Sequence, residues 1–176
     1  MKIGFCGTMS VGKTTLVNAL KKDKVFKDYK FATERSKYLN SLGIPLNTDS
    51  TYKGQIIFST ERAAELLHEN MITDRTVIDV IAFSRLSNQM DLEEKHMIED
   101  LLCELIQDYD IIFHIDDLNI PIENNGIRET NEEYREKIAE EIDNIIKEYE
   151  SDFKRIVRIS GTTEERVNQV KASLSL

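Results

Sequence analysis

The chain has 176 residues, 40% of them apolar, and a formal charge of −9. That is long and apolar enough for one compact domain with its own core, expected to span residues 1–176. The negative charge repels a nucleic-acid backbone or an anionic membrane on average, so a DNA- or RNA-wrapping role is disfavoured and any phosphate must be met by a local set of donors.

No apolar run approaches the roughly 20 residues that a membrane helix needs, so a soluble protein without a membrane partner is expected. Cys6 and Cys103 have no metal-ligand spacing, and with no cleavable apolar leader the expectation is a reduced, cytoplasmic setting. Both cysteines read as small core residues.

In chain order, KIGFCG (2–7) is a short apolar run ending at Gly7, and KTTLVNALKK places Leu16, Val17 and Leu20 on one helical face. YKFAT (29–33) reads as a second strand. GQIIFSTERAAELLHEN carries Ile56, Thr60, Ala63, Ala64 and Leu67 at helical spacing, before a third strand at MITD (71–74). A helical stretch with Val77, Ile81 and Leu86 follows. LEEKHMIEDLLCELIQ sets Met97, Ile98, Leu101, Leu102, Leu105 and Ile106 in a stripe that packs on the chain's own sheet or on a second subunit. DIIFHID (110–116) is the most strand-like run and is expected to be central and buried. After a polar stretch come a helix with Ile138, Ile142, Ile145, Ile146 and Tyr149 on one side, a strand RIVRI, and a last helix from Thr162.

Five strands separated by helices imply a parallel sheet covered on both faces, because parallel neighbours need crossover connections. The expected fold class is therefore three-layer α/β. Two polar insertions, 42–54 and 118–132, are the segments expected to be mobile.

The loop after the first strand, Gly7-Thr8-Met9-Ser10-Val11-Gly12-Lys13-Thr14, fits G-x-x-x-x-G-K-[ST] in full and stands between strand and helix as that phosphate-binding pattern requires. Its glycines let the backbone curl so that successive N–H groups face phosphate oxygens, and the helix start adds partial positive charge. Lys13 is expected against the β- and γ-phosphates, the Thr14 hydroxyl on Mg²⁺, and Thr15 beside them. The plain alternative is a helix-capping turn with a surface lysine.

A nucleotide loop alone does not choose among motors, switches and kinases. Asp116 or Asp117 could close the long apolar strand as a metal carboxylate. Arg128 and Arg135, flanking ETNEEY, fit a closing lid near 118–136 that supplies charge and excludes water, although pairing with the neighbouring glutamates on a solvated helix accounts for them too.

Together these residues resemble a P-loop nucleoside or nucleotide kinase of the AAA-like group. That group includes the nicotinamide riboside kinase domain of bacterial NAD regulators and phage-encoded nucleotide kinases similar to thymidylate kinase. The resemblance extends over ATERSKYL (32–39), TDRTVIDVIAF (73–83), IPIENNGIRE (120–129) and ISGTTEER (159–166). It implies ATP as donor, Mg²⁺ as cofactor, and a small acceptor across the carboxyl ends of the strands. It also implies a P-loop fold with a small lid and, since small nucleotide kinases are often dimers, a possible homodimer. If the chain is phage-encoded, its setting is the host cytoplasm.

By the same resemblance, Glu34 meets the acceptor hydroxyl or orients the metal, the alternative being a helix cap. Asp74 and Arg75 resemble a DR signature, with Asp74 on metal or acceptor and Arg75 on phosphate; a surface ion pair is the alternative. Asp79 reads as structural. Gly126 and Arg128 resemble lid residues, and Gly161 and Thr162 the loop beneath adenine. Two departures, Lys37 beside Arg35 and Asn124-Asn125 before the lid glycine, fall where the acceptor is read. His68, His96 and His114 share no catalytic or metal spacing.

The expected activity is γ-phosphoryl transfer to a nucleoside monophosphate, with a deoxynucleotide favoured, or to a nucleoside. Nicotinamide riboside is the competing acceptor, and an ATPase or nucleotide-dependent binding protein is the competing class.

Overall fold

The computed structural model describes residues 1–33, 35–122 and 131–176. Glu34, Gly126 and Arg128 lie outside the described residues. Strands β1 (Lys2–Cys6), β2 (Lys30–Ala32), β3 (Met71–Thr73), β4 (Ile111–His114) and β5 (Ile156–Arg158) form one parallel sheet in the order β2-β3-β1-β4-β5. The helices are α1 (Lys13–Lys22), α2 (Ser36–Ser41), α3 (Tyr52–Glu65), α4 (Val77–Arg85), α5 (Leu92–Cys103), α6 (Glu132–Glu148) and α7 (Thr163–Ser173). Each expected strand is present. β4 is buried at all four positions, yet β1 holds the centre of the sheet, paired with β3 through Ile3–Ile72 and with β4 through Ile3–Ile111.

A core lies on each face of the sheet. On one side Ile3, Phe5, Ile111 and Phe113 pack against Leu16, Val17 and Leu20 of α1 and Val170 of α7, with the Phe5 and Phe113 rings stacked at 5.4 Å between centroids. On the other, Cys6 and Ile112 meet Val77, Ile78 and Ile81 of α4, Ile98 and Leu102 of α5, and Ile138, Ile142 and Ile145 of α6. Period-two alternation along β1 and β4 divides their side chains between these layers. Helix starts are fixed by side-chain caps. The Asp91 carboxylate accepts from Glu94 N at 2.9 Å, and the Asp79 carboxylate accepts from Thr76 N at 2.8 Å, each satisfying a first-turn donor.

Two apolar stripes differ from expectation. On α3 the spacing of Ile56, Thr60 and Ala64 is helical, but that face looks outward, and Leu67 beyond the helix end is 85% exposed. The inward face is polar, with Gln55, Ser59 and Arg62 buried. On α5 the stripe is divided: Ile98 and Leu102 are buried while Met97 and Leu101 are exposed. Within 42–54, the Asn88 amide donates to Thr48 O at 2.9 Å and the Ser87 hydroxyl to Ser50 O, tying that insertion to the connection after α4. Among the described residues, no helix is long and apolar enough to cross a membrane.

Candidate active site

The carboxyl ends of β1, β3 and β4 converge where the strand order reverses around β1, the place at which open α/β sheets leave a crevice. Residues 7–12 wrap across it. Gly7 has φ +147°, and a Cβ there would stand 2.2 Å from the Ile115 carbonyl oxygen after β4. Gly12, with φ +89°, turns the chain into α1 and caps it. These backbone states disfavour a side chain and explain both glycines.

Lys13 opens α1 and is buried. Its Nζ donates to the Gly7 carbonyl and, at 2.7 Å, to the Thr8 carbonyl, and lies 4.0 Å from Asp79 Oδ1. Burial, then the nearby charge of Arg75, lowers its pKa to about 8. Asp79 accepts from the Gly7 amide at 3.3 Å and from Arg75 Nη1 at 3.4 Å, and the Arg75 guanidinium lies 5.1 Å from the centre of the Phe83 ring. The first turn of α4 thus holds the first residue of the loop.

A cleft of about 650 Å³ opens above, a volume ordinary for a small-molecule site. Met9 through Thr15, Asp74, Arg75, Gly161 and Thr162 all line it, as does Lys37. Gly7 and Thr8 do not line it; Gly7 is the loop's floor, and the Thr8 hydroxyl donates to Arg135 O at 3.1 Å. The Thr14 hydroxyl and Asp74 carboxylate offer oxygen donors to one space. That set suits Mg²⁺, which takes one or two protein oxygens and completes its shell with phosphate and water. Among the described residues there is no cluster of three or more His, Cys, Asp or Glu side chains that could hold a metal.

Arg135 sits on α6 rather than on a flap. It is 1% exposed, donates from Nη2 to Asp117 O at 3.4 Å, and does not line the cleft. The carboxylates following β4 are engaged by arginines: Asp117 with Arg166 at 2.9 Å and Asp116 with Arg158 at 2.7 Å. Arg35 pairs with Glu61 at 2.9 Å. His114 is buried and His96 exposed, and His68 Nδ1 lies 3.1 Å from Lys30 Nζ.

A second recess adjoins the cleft through Ser36, Leu46, Asn47 and Arg75, and extends to Gln55, Phe58, Asp79 and Phe83. Phe83 closes the TDRTVIDVIAF stretch, whereas Gln55 and Phe58 had no motif to mark them. For Gln55 and Phe58 the sequence offered no signal, because the apolar stripe of α3 proves to be its outer side and the burial of Gln55 is set by the packing.

A family model for the AAA domain matches residues 2–166. The chain belongs to the AAA domain family. This AAA domain resembles the solved deoxyadenosine kinase from M. mycoides with dCMP and dCDP bound, at TM-score 0.70 and 20% identity over 99% of each chain. It also resembles the NadR protein in complex with NAD and AMP-PNP, at TM-score 0.74 and 20% identity, and in complex with NR, at 0.75 and 19%. There the AAA domain is covered over 99% of its length and spans 49% and 51% of the NadR chains. The likeness establishes the three-layer P-loop fold that the AAA domain shares with these proteins. No curated protein matches the sequence.

Proposed function

We propose that the chain is an ATP- and Mg²⁺-dependent kinase whose acceptor is a nucleoside, with a deoxynucleoside favoured. The observation that carries this reading is the union of the phosphate loop with the recess behind Arg75. Gln55 brings an amide, and Phe58 and Phe83 bring rings that suit a planar base. Arg75 is the only cation among the described residues lining that recess, and it already faces Asp79. An acceptor monophosphate needs charge-assisted donors in plurality, so an uncharged sugar hydroxyl is the better occupant. The relatives agree with a nucleoside acceptor: one is named a deoxyadenosine kinase and another holds NR. This moves the preference away from the nucleotide acceptor expected from sequence.

Lys13, Thr14 and the loop amides are assigned to ATP, with Gly161 and Thr162 on its adenine side. Thr14 and Asp74 are assigned to Mg²⁺, which when bound would offset phosphate charge. Glu34 is assigned as the group that takes the acceptor's proton, Arg75 as the orienter of the acceptor, and Arg128 as the lid cation. Arg135 is assigned to holding the root of the lid against Asp117. Catalysis of this kind rests on positioning and charge stabilisation.

The deciding experiment measures ADP formation from Mg·ATP with each nucleoside, deoxynucleoside, monophosphate and nicotinamide riboside in turn. Strong stimulation by a nucleoside, lost in Lys13→Ala with the fold retained, is the expected result. Stimulation by monophosphates alone would reverse the acceptor reading, and ATP binding with no stimulation by any acceptor would favour an ATPase or nucleotide-dependent binder.

We also infer that the working unit is a homodimer joined through the outer faces of α3 and α5. Ile56, Ile57, Thr60 and Ala64 flank the exposed Lys53 on that side of α3, and Met97 and Leu101 extend the face across α5, where Tyr52 Oη meets Met97 Sδ at 3.8 Å. Exposed Glu93, Asp100 and Glu104, on or beside α5, offer opposite charges to Lys53 of a second copy. Leu67 and Leu92 add exposed apolar side chains at the end of α3 and the start of α5, and a standard interface buries about 800 Å² on each partner. A two-fold pairing of identical patches is the commonest way to cover such a surface.

A further inference from the structure

Arg166 belongs to none of the residues so far assigned to nucleotide or acceptor, yet its guanidinium lies 3.0 Å from where a Cβ on Gly12 would stand. It projects from the first turns of α7 and is 2% exposed. Nη1 donates to the Val11 carbonyl at 2.6 Å, and Nη2 to Asp117 Oδ2 at 2.9 Å. One rigid fork therefore joins three separate segments: the phosphate loop, the chain following β4, and α7.

The carbonyl and N–H of a trans peptide point in opposite directions. The Val11 carbonyl accepts from Arg166, so the Gly12 N–H of the same peptide is turned away from that guanidinium. Local sterics do not impose this orientation, because Gly12 carries no Cβ and tolerates either side of the φ map. Something outside the loop must hold the peptide, and the guanidinium is placed to do so.

We propose that Arg166 is a positioning residue for nucleotide binding: through the Val11 carbonyl it locks the Gly12 amide toward the β-phosphate, and Asp117 aligns the guanidinium for that task. This rests on the reading of the loop as a nucleotide site. It needs neither the kinase assignment nor the identity of an acceptor.

The test is calorimetric titration of the full chain with ATP, ADP and AMP, using wild type, Arg166→Met, Arg166→Lys and Asp117→Asn, with thermal melting of each. Arg166→Met is expected to weaken ATP and ADP by about 10- to 100-fold, the scale of one hydrogen bond to a charged group, while AMP, which has no β-phosphate, changes less than about twofold. Arg166→Lys is expected to fall between, since an ammonium can reach the carbonyl without the fork to Asp117. Should Arg166→Met fail to fold, the lysine variant decides.

Asp117→Asn separates positioning from direct contact. Weaker ADP binding supports alignment of the guanidinium, whereas tighter ADP binding would mean that freed positive charge meets phosphate itself, and would overturn the proposal. Equal losses for AMP and ATP would reduce Arg166 to a structural residue, and unchanged affinities would remove it from the site. Wild type that binds no ATP would overturn the nucleotide reading and this proposal together; wild type that binds, with variants indistinguishable from it, overturns the role of Arg166 alone.

Discussion

Asp79 Oδ1 stands 4.0 Å from Lys13 Nζ, with both side chains enclosed beneath the phosphate loop. The same carboxylate accepts from the Gly7 amide and from Thr76, so it sets the loop's first residue, the start of α4 and the charge of the loop lysine at once. Asp79→Asn keeps the shape and removes the charge. It should lower unfolding free energy by about 2–3 kcal/mol and weaken ATP about tenfold, because a buried cation loses its counter-charge. Urea unfolding and calorimetry read the two effects separately.

The lowered pKa of Lys13 gives two pH dependences of opposite sign. Phosphates restore the lysine's charge, so ATP binding should take up protons near pH 8, and affinity should fall as pH rises above about 8. In the folded apo protein this pKa lies below the unfolded value of roughly 10.4, so between them the unfolded chain holds the extra proton. Lys13's contribution to unfolding free energy therefore rises with pH across that window. Titration in buffers of differing ionisation enthalpy tests the first effect; the difference in stability between wild type and Lys13→Met over pH 8–10 tests the second.

Gly7→Ala should be severe. The added methyl meets the Ile115 carbonyl oxygen at 2.2 Å in a backbone state that alanine resists, so the loop or the end of β4 must move. A loss of about 2–4 kcal/mol is expected, together with loss of ATP binding, measured by unfolding and calorimetry.

Gln55→Leu should act on the acceptor alone. The recess keeps its volume but loses an amide, and a polar acceptor left unpaired there is costly, so kcat/KM for the nucleoside should drop about 100-fold while KM for ATP stays within about twofold. Steady-state kinetics with each substrate varied in turn distinguishes this from a general loss of fold, in which both constants would suffer.

Leu101→Glu, and separately Ile56→Glu, should give monomers in sedimentation velocity without loss of secondary structure. Both side chains are already exposed in the single chain, so the charge has a cost only where a second copy covers it.

The sheet and the phosphate loop were legible because each is signalled by neighbours in sequence: short apolar runs with helical stretches between them, and two glycines at fixed spacing before Lys13. The outward turn of α3 was not. Periodicity marks a uniform face but does not say what covers it, and here the chain buries Gln55, Ser59 and Arg62 toward the interior while leaving Ile56 and Ile57 outside. Asp79 read as a structural acid because its partners, Gly7 and Lys13, are distant in sequence. Arg166 closes the ISGTTEER stretch, but its role was hidden for the same reason, its contacts at Val11 and Asp117 being set by the packing of α7 beside α1.

The pairing of Ile3 with both Ile72 and Ile111 also governs when the molecule can be made. β1 is flanked on both sides by strands synthesised long after it, and the loop behind it needs Asp79 for the Gly7 amide and the chain at Ile115 for its wall. Contacts so remote in sequence close slowly. A ribosome-bound chain halted before β4 has emerged therefore carries the whole phosphate motif as an unshaped peptide. Nucleotide can steady the fold only after the middle of the sheet has closed, and ligand binding rewards the last stage of folding rather than guiding the first.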